Sequence, residues 1–189
     1  TMWDFYLVNW LPFGELLTEM ERNGVKINKD YLASLIPEAE QDKIKGEQDF
    51  IAWATSICAD CAYMNPGSDT QRQQLLFAPC VNTKDSTKVL GKDREFSAEN
   101  TEGYIEPGKS KAKKTRNFVI SGLGLPFTET TDSGWPAVSL PVMQKLVGDP
   151  PKKYGPIVGY FEQKGMTAEQ GQEAARSIAG ALEASKIDT

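Results

Sequence analysis

Histidine is absent from this chain of 189 residues, and cysteine occurs only three times. The first absence removes Ser-His-Asp and Cys-His catalytic triads, zinc fingers with histidine ligands and other His-ligated metal sites. Cys58-Ala-Asp-Cys61 has the spacing of a metal or redox pair. A structural zinc site needs more ligands than that, and only Cys80 is left to help. A thioredoxin-like pair would follow a strand, whereas this one ends a helical pattern. Structural thiols are the plainer expectation. No run of ~18 apolar residues occurs, so neither a transmembrane helix nor a membrane partner is expected. Thr1-Met2-Trp3-Asp4 lacks the basic start and small-residue cleavage site of a signal peptide. An excess of positive charge is missing too. The formal net charge of −5 argues against a free-standing, nonspecific nucleic-acid binder, while leaving room for a local basic patch.

What is present is a globular balance, 40% hydrophobic and 25% charged, long enough for one domain or a core with a peripheral piece. The stretch that organises it is Asn65-Pro-Gly-Ser-Asp-Thr-Gln71, between two helical patterns. Pro66 and Gly67 interrupt a helix, Ser68 is placed as an N-cap, and Gln71 stands where a capping box wants Glu or Gln. Free backbone N–H groups, a hydroxyl and an amide at a helix start suit a phosphate oxygen. An ordinary well-capped helix start is the bland alternative.

Residues 3–23 predict an amphipathic helix or a pair, with Trp3, Phe5, Leu7, Trp10, Leu11, Leu16, Leu17 and Met20 apolar and Pro12 as kink or second start. Asn23-Gly24 reads as a stop, and Val25-Lys-Ile27 as a very short strand. Asn28 then caps a helix to about Ile57, an arm of roughly 43 Å at the usual rise per residue. Its polar middle, Glu38 to Asp49, is expected to stand in solvent, and Pro37 to bend it. A third helix from Asp69 to about Phe77 would return beside it.

From Ala78 to Phe118 the periodicity dissolves, which predicts a long irregular insertion over 78–121. Near its end Lys109, Lys111, Lys113, Lys114 and Arg116 fall within eight residues with no acid among them. They form either a solvated surface run or a phosphate-contacting arm. Gly122-Leu-Gly-Leu-Pro126 lacks the spacing of a nucleotide fingerprint. Ser139 is a second N-cap with Pro141 in the first turn, followed by Val142, Met143, Leu146 and Val147 inward. Residues 148–165 read as irregular. Thr167-Ala-Glu-Gln170 is another capping box, opening a helix with Ala174, Ala175, Ile178, Ala181 and Leu182 inward. The chain then stops at Thr189 with no C-terminal signal, an ending expected of a piece of something longer.

At this point the residues match a family. Glu19-Met-Glu-Arg-Asn-Gly-Val-Lys-Ile-Asn28 resembles the segment that opens the polymerase region of family A DNA polymerases, the bacterial DNA polymerase I type. Asn65-x-Gly-Ser68 with Gln71 resembles a motif of the family's thumb. Gly124-Leu-Pro126, Gly134-x-Pro136 and Ser139 resemble its next thumb segment. Asp4-Phe-Tyr6, Trp10-x-Pro-Phe-Gly-Glu-Leu-Leu17, Trp53-Ala54, Tyr63-Met-Asn65, Gly67-Ser-Asp-Thr-Gln71 and Ser133-Gly-Trp-Pro136 resemble the plant and algal organellar branch, as does the long insertion with its basic end.

The resemblance implies a mainly α piece. Residues 1–27 would lead in after the exonuclease domain, and 28–189 would form the long antiparallel helices of a thumb. It implies primer-template DNA as partner, palm and exonuclease domains of the same parent, and a mitochondrial and/or plastid location. The parent would be a DNA-directed DNA polymerase with magnesium in its palm, while this piece is non-catalytic and holds no cofactor. Asp42, Glu47 and Asp49 are scattered and read as solvating charge. The carried-over DNA contacts are Asn65, Gly67 and Ser68, then Ser139 and the backbone N–H of Ala137. Ala137 stands where bacterial members often have a hydroxyl. Lys186, after Leu182-Glu183, fits the family's basic position loosely, with Ser185 where Arg is expected. A helical protein–protein module is the competing reading, favoured by the net negative charge and the aromatic first helix, whereas in a fragment Trp3, Trp10 and Phe13 more simply face the missing neighbours.

Overall fold

A computed structural model describes residues 1–105 and 108–187. The parts of the expected insertion at 106–107 and of the expected thumb span at 188–189, Thr189 included, lie outside the described residues. The chain divides into two compact units, Thr1–Glu38 and the residues from Ala39 onward, with the division inside one helix.

In the first unit a capping box of Thr1 and Asp4 opens α1 (Met2–Phe5). A π-helical turn, Tyr6–Trp10, leads into α2 (Leu11–Asn23). Pro12, in the first turn of α2, has no N–H to donate back along the ladder. The Leu11 N–H instead reaches the Tyr6 carbonyl, one residue further than an α-helix would. Gly24 ends α2, as expected. The expected strand at Val25-Lys-Ile27 does not form, because the triplet finds no partner ladder among the described residues. The Asn28 Oδ1 accepts the Tyr31 N–H at 3.1 Å and opens α3 (Lys29–Ile57), which continues through Pro37. No residue from 1 to 38 is buried.

The second unit holds the core. The later part of α3 buries Gly46, Phe50, Trp53 and Ala54. The middle of α3 is therefore not wholly in solvent. A Cβ on Gly46 would lie 2.5 Å from the Gly180 carbonyl oxygen, so the glycine admits another helix backbone at close range. A 3₁₀ turn (Ala59–Tyr63) precedes α4 (Asp69–Phe77). α4 spans nine residues, the extent its sequence predicts.

The insertion is not structureless. β1 (Cys80–Val81) pairs with β2 (Val89–Leu90), and β3 (Asp93–Glu99) pairs antiparallel with β4 (Thr115–Ser121) over seven residue pairs. Phe118 and Ile120 alternate inward, with Phe96 and Ala98 packed against the same core. Buried Gln74 of α4 ties this hairpin down, its Nε2 lying 3.0 and 2.9 Å from the carbonyls of Gly91 and Lys92. Gly122-Leu-Gly-Leu-Pro126 closes the end of α4. The Leu123 and Leu125 N–H groups donate to the Leu75 and Leu76 carbonyls, and a Cβ on Gly122 would strike the Ala78 carbonyl oxygen.

After α5 (Leu140–Val147), the stretch expected to be irregular contains β5 (Gly148–Asp149) paired with β6 (Lys153–Tyr154), then α6 (Ile157–Gln163). The final helix, α7 (Ala168–Ile187), buries Ala174, Ala175, Ile178, Ala181 and Leu182, the face its sequence periodicity predicts. Together these helices outweigh the three two-stranded sheets formed by the described residues, so the protein is mainly α.

Candidate nucleic-acid interface

The turn before α4 is held by side chains, though not in the expected way. Asn65 Oδ1 accepts the Gly67 N–H at 2.9 Å, and the Asn65 carbonyl accepts the Ser68 N–H at 3.0 Å. Gln71 bypasses Ser68: its Oε1 accepts the Asn65 N–H at 2.7 Å. Ser68 is the N-cap by backbone conformation, φ −85° and ψ 110°, but its hydroxyl makes no capping bond. The capping box expected there is therefore not formed, because the asparagine turn has taken the glutamine. The expected free amides also move. Those of Gly67 and Ser68 are occupied, leaving Asp69 and Thr70, in the first turn of α4, without helical acceptors.

Ser139 repeats the pattern at α5. It is the N-cap, φ −62° and ψ 153°, and its carbonyl accepts the Met143 N–H at 3.0 Å, while its exposed hydroxyl caps nothing. Ala137 departs from expectation. It is buried and its N–H donates to the Glu129 carbonyl at 3.0 Å, so it has no amide to offer a ligand.

The two helix starts open on one groove of about 490 Å³, lined among others by Asp69, Thr70, Gln73, Glu129, Ala137 and Ser139. Gln73 fixes the spacing, with its Nε2 donating to the Pro136 carbonyl at 2.6 Å. The turn around Gly134 is fixed in turn by Asn82, whose Nδ2 donates to the Ser133 carbonyl at 3.0 Å. The groove carries acid as well as hydroxyls. Asp69 pairs with Arg72 and Glu129 with Lys145, which neutralises two of its carboxylates, while Asp132 adds a third at the edge.

Lys109, Lys111, Lys113 and Lys114 are exposed on the connection between β3 and β4. Arg116 is set apart from them inside β4. Its guanidinium carbon lies 3.8 Å from the Tyr63 ring centroid and 4.1 Å from that of Tyr104, with Glu102 Oε2 at 3.6 Å. Lys186, in the last turn of α7, pairs with Glu183 and lines a different groove with Asp149 and Gln144. The structure thus brings Ser139 beside the start of α4, joins the basic run to Tyr63 just ahead of Asn65, and leaves Lys186 in a separate groove. Thr70 and Gln73 were missed by sequence reading. Helical spacing from Ser68 was the one signal that pointed to them.

The cysteines do not form a centre of their own. Cys61 is buried, and burial, with Cys58 and Asp60 adding to it, pushes its thiol up to about 12. Cys58 donates its S–H to the Val119 carbonyl at 3.4 Å. Among the described residues no group of three or more Cys, Asp or Glu side chains could hold a metal ion. Nor is any helix among them long and apolar enough to cross a membrane.

Known proteins similar to this chain share one identity. It is 39% identical over 157 residues, 82% of its length, to the chloroplastic/mitochondrial DNA polymerase I A of Arabidopsis thaliana. It is 37% identical over 164 residues, 85% of its length, to that plant's DNA polymerase I B, chloroplastic/mitochondrial. The chloroplastic DNA polymerase I A of Oryza sativa subsp. japonica is 35% identical over 153 residues, 80% of the chain. The chain is homologous to one segment of plant organellar DNA polymerase I. The matches span only 15 or 16% of the length of these relatives. The organellar names of the relatives agree with the location that the sequence motifs imply. No protein-family model and no solved structure matches the chain.

Proposed function

We propose that this chain is the DNA-holding thumb portion of a DNA-directed DNA polymerase that replicates and repairs DNA in the mitochondrion, the plastid or both. The observation that carries the reading is the pair of helix starts, α4 and α5: Asp69, Thr70 and Ser139 line one groove, and the N-cap hydroxyls of Ser68 and Ser139 make no capping bond. A polymerase must hold duplex of any sequence, so its grip addresses the sugar-phosphate backbone rather than base edges. Neutral hydroxyls and first-turn amides do this, since each donates to a phosphate oxygen and the helix dipole favours the anion. The exposed lysines of the insertion add charge that is read only as phosphate spacing.

In this reading the long helices α3 and α7 supply the antiparallel arms of the thumb. The exposed Trp3, Phe5, Trp10 and Phe13 of the first unit meet the exonuclease and palm domains of the parent. Magnesium and the chemistry of nucleotidyl transfer belong to that palm, and this chain holds the product and template of the step without taking part in it. Primer extension by the 189-residue chain alone, with magnesium and nucleotides, would overturn that division.

The direct test uses the full-length polymerase with Ser68→Ala and Ser139→Ala together. Two neutral hydrogen bonds at ~1 kcal/mol each raise the off-rate from primer-template DNA roughly tenfold to thirtyfold. The single-turnover incorporation rate on saturating DNA stays at the parent level. An unchanged off-rate overturns the grip and favours the protein–protein module. Replacing Lys109, Lys111, Lys113 and Lys114 by Ala is expected to flatten the slope of log K against log salt by ~0.9 for each lost contact. An unchanged slope leaves those lysines as solvated charge only.

A further inference from the structure

We infer that Arg116 is not a phosphate contact but the clip that holds the lysine-bearing tip of the insertion against the turn at Asn65, making it a positioning residue for DNA retention. The inference rests on the DNA-holding reading above.

A cation that waits for phosphate stays in water, as Lys109, Lys111 and Lys114 do. Arg116 does the opposite. Its side chain is 20% exposed, between the rings of Tyr63 and Tyr104, with Glu102 as counter-ion. A planar guanidinium stacks on aromatic faces in a way that a lysine ammonium does not.

The two rings belong to the two parts being joined. Tyr63 ends the 3₁₀ turn two residues before Asn65, and its ring also meets Phe118 of β4, with centroids 6.4 Å apart. Tyr104 lies in the tip, where Asn100 gathers the strands of the connection. The Asn100 Oδ1 accepts the Tyr104 N–H at 2.8 Å, and its Nδ2 donates to the carbonyls of Tyr104 and Lys113 at 2.8 and 2.9 Å. The Asn100 N–H donates to the Lys114 carbonyl at 2.9 Å. Arg116 therefore connects the backbone that carries the lysines to the residue that leads into the Asn65 turn. Releasing it would leave the same charges in place but no longer fixed relative to that turn.

The test is a charge-conserving exchange, Arg116→Lys, beside Arg116→Ala and Tyr104→Ala, in the full-length polymerase. Hydrogen exchange without DNA reads the clip alone. The amides of Asn100 and Tyr104 are expected to exchange roughly tenfold faster in all three variants, the effect of losing a desolvated cation–π contact. Tyr104→Ala should add nothing further in the Arg116→Ala background. The DNA off-rate should rise in Arg116→Lys as much as in Arg116→Ala, with single-turnover incorporation unchanged. If Arg116→Lys keeps parent exchange and off-rate while Arg116→Ala lowers the salt slope by ~0.9, Arg116 is a phosphate ligand and the inference is overturned. If exchange rises and the off-rate does not, the clip stands but its part in DNA retention is overturned. If the four-lysine variant also leaves the salt slope unchanged, the DNA reading of the tip has failed, independently of the clip.

Discussion

Two helix starts in this protein carry the same signal, a hydroxyl residue followed three positions later by glutamine, and use it differently. At Thr167 the box closes on itself. The Gln170 N–H donates to Thr167 Oγ1 at 3.2 Å, and the Thr167 N–H donates to Gln170 Oε1 at 2.9 Å. At Ser68 the glutamine turns away to the Asn65 N–H, and the serine hydroxyl is left with no capping partner. The closed box engages its hydroxyl and its glutamine within the chain and leaves only the first-turn amides of Ala168 and Glu169 without helical acceptors. The open one keeps its hydroxyl unspent as well, and the two residues that carry its first-turn amides, Asp69 and Thr70, line a groove. What separates them is the residue upstream. Asn65 folds the chain so that its own amide competes for the glutamine, whereas no such turn precedes Thr167.

The largest effect expected from this contrast comes from dismantling the closed box. Thr167→Ala with Gln170→Ala leaves two amides at the start of α7 without their acceptors, at ~1 kcal/mol or somewhat more. For a unit of this size that lowers the thermal midpoint by about 2–4 °C per kcal/mol, measured by calorimetry or circular dichroism. DNA off-rates should not move. A DNA effect as large as the stability effect would erase the distinction between the two starts.

A smaller effect is expected from Gln71→Ala. It removes the acceptor of the Asn65 N–H, but Asn65 is exposed and water can replace the lost bond. The net cost is on the order of 0.5 kcal/mol in a denaturant titration. It also frees Asn65 from the arrangement that keeps Ser68 open. Should the loss reach that of the Thr167/Gln170 variant, Gln71 is a structural cap after all.

Much of this was legible in the sequence, and the limits are physical. The bounds of α4 and the inward face of α7 follow from caps and helical spacing, which are local. Ser68 and Ser139 were placed correctly as N-caps for the same reason. The partners of Gln71, Ala137 and Arg116 were not legible, because each is decided by a residue brought in by the fold: Asn65, the Glu129 carbonyl, and the two tyrosine rings. The β3–β4 hairpin was missed because its apolar residues, Phe96, Phe118 and Ile120, are few and are spaced among charges. The helix α6 was missed because seven residues carry too little periodicity to register. The apolar rows of α2 and α7 look alike in sequence. One is buried and the other is not, since periodicity says which face is apolar and nothing of what covers it.

The smallest stability effect belongs to Ser68→Ala, and it is the sharpest probe of the comparison. An N-cap serine that bonds an amide is worth ~1 kcal/mol, so its removal ordinarily destabilises the helix. Here the hydroxyl bonds no amide of α4, and the turn is held by Asn65 and Gln71 instead. Stability should therefore change by less than ~0.5 kcal/mol, the ordinary range of a surface substitution. The off-rate from primer-template DNA should nevertheless rise roughly fivefold, the equivalent of one neutral hydrogen bond of ~1 kcal/mol. Asn65→Ala is the poorer probe, because it would also free the Gly67 N–H and loosen the turn that presents the serine. A Ser68→Ala enzyme that melts like its parent and releases DNA faster separates holding from folding at a single oxygen atom. One that loses a full ~1 kcal/mol of stability shows the hydroxyl to be a cap in solution, and the two helix starts to be alike.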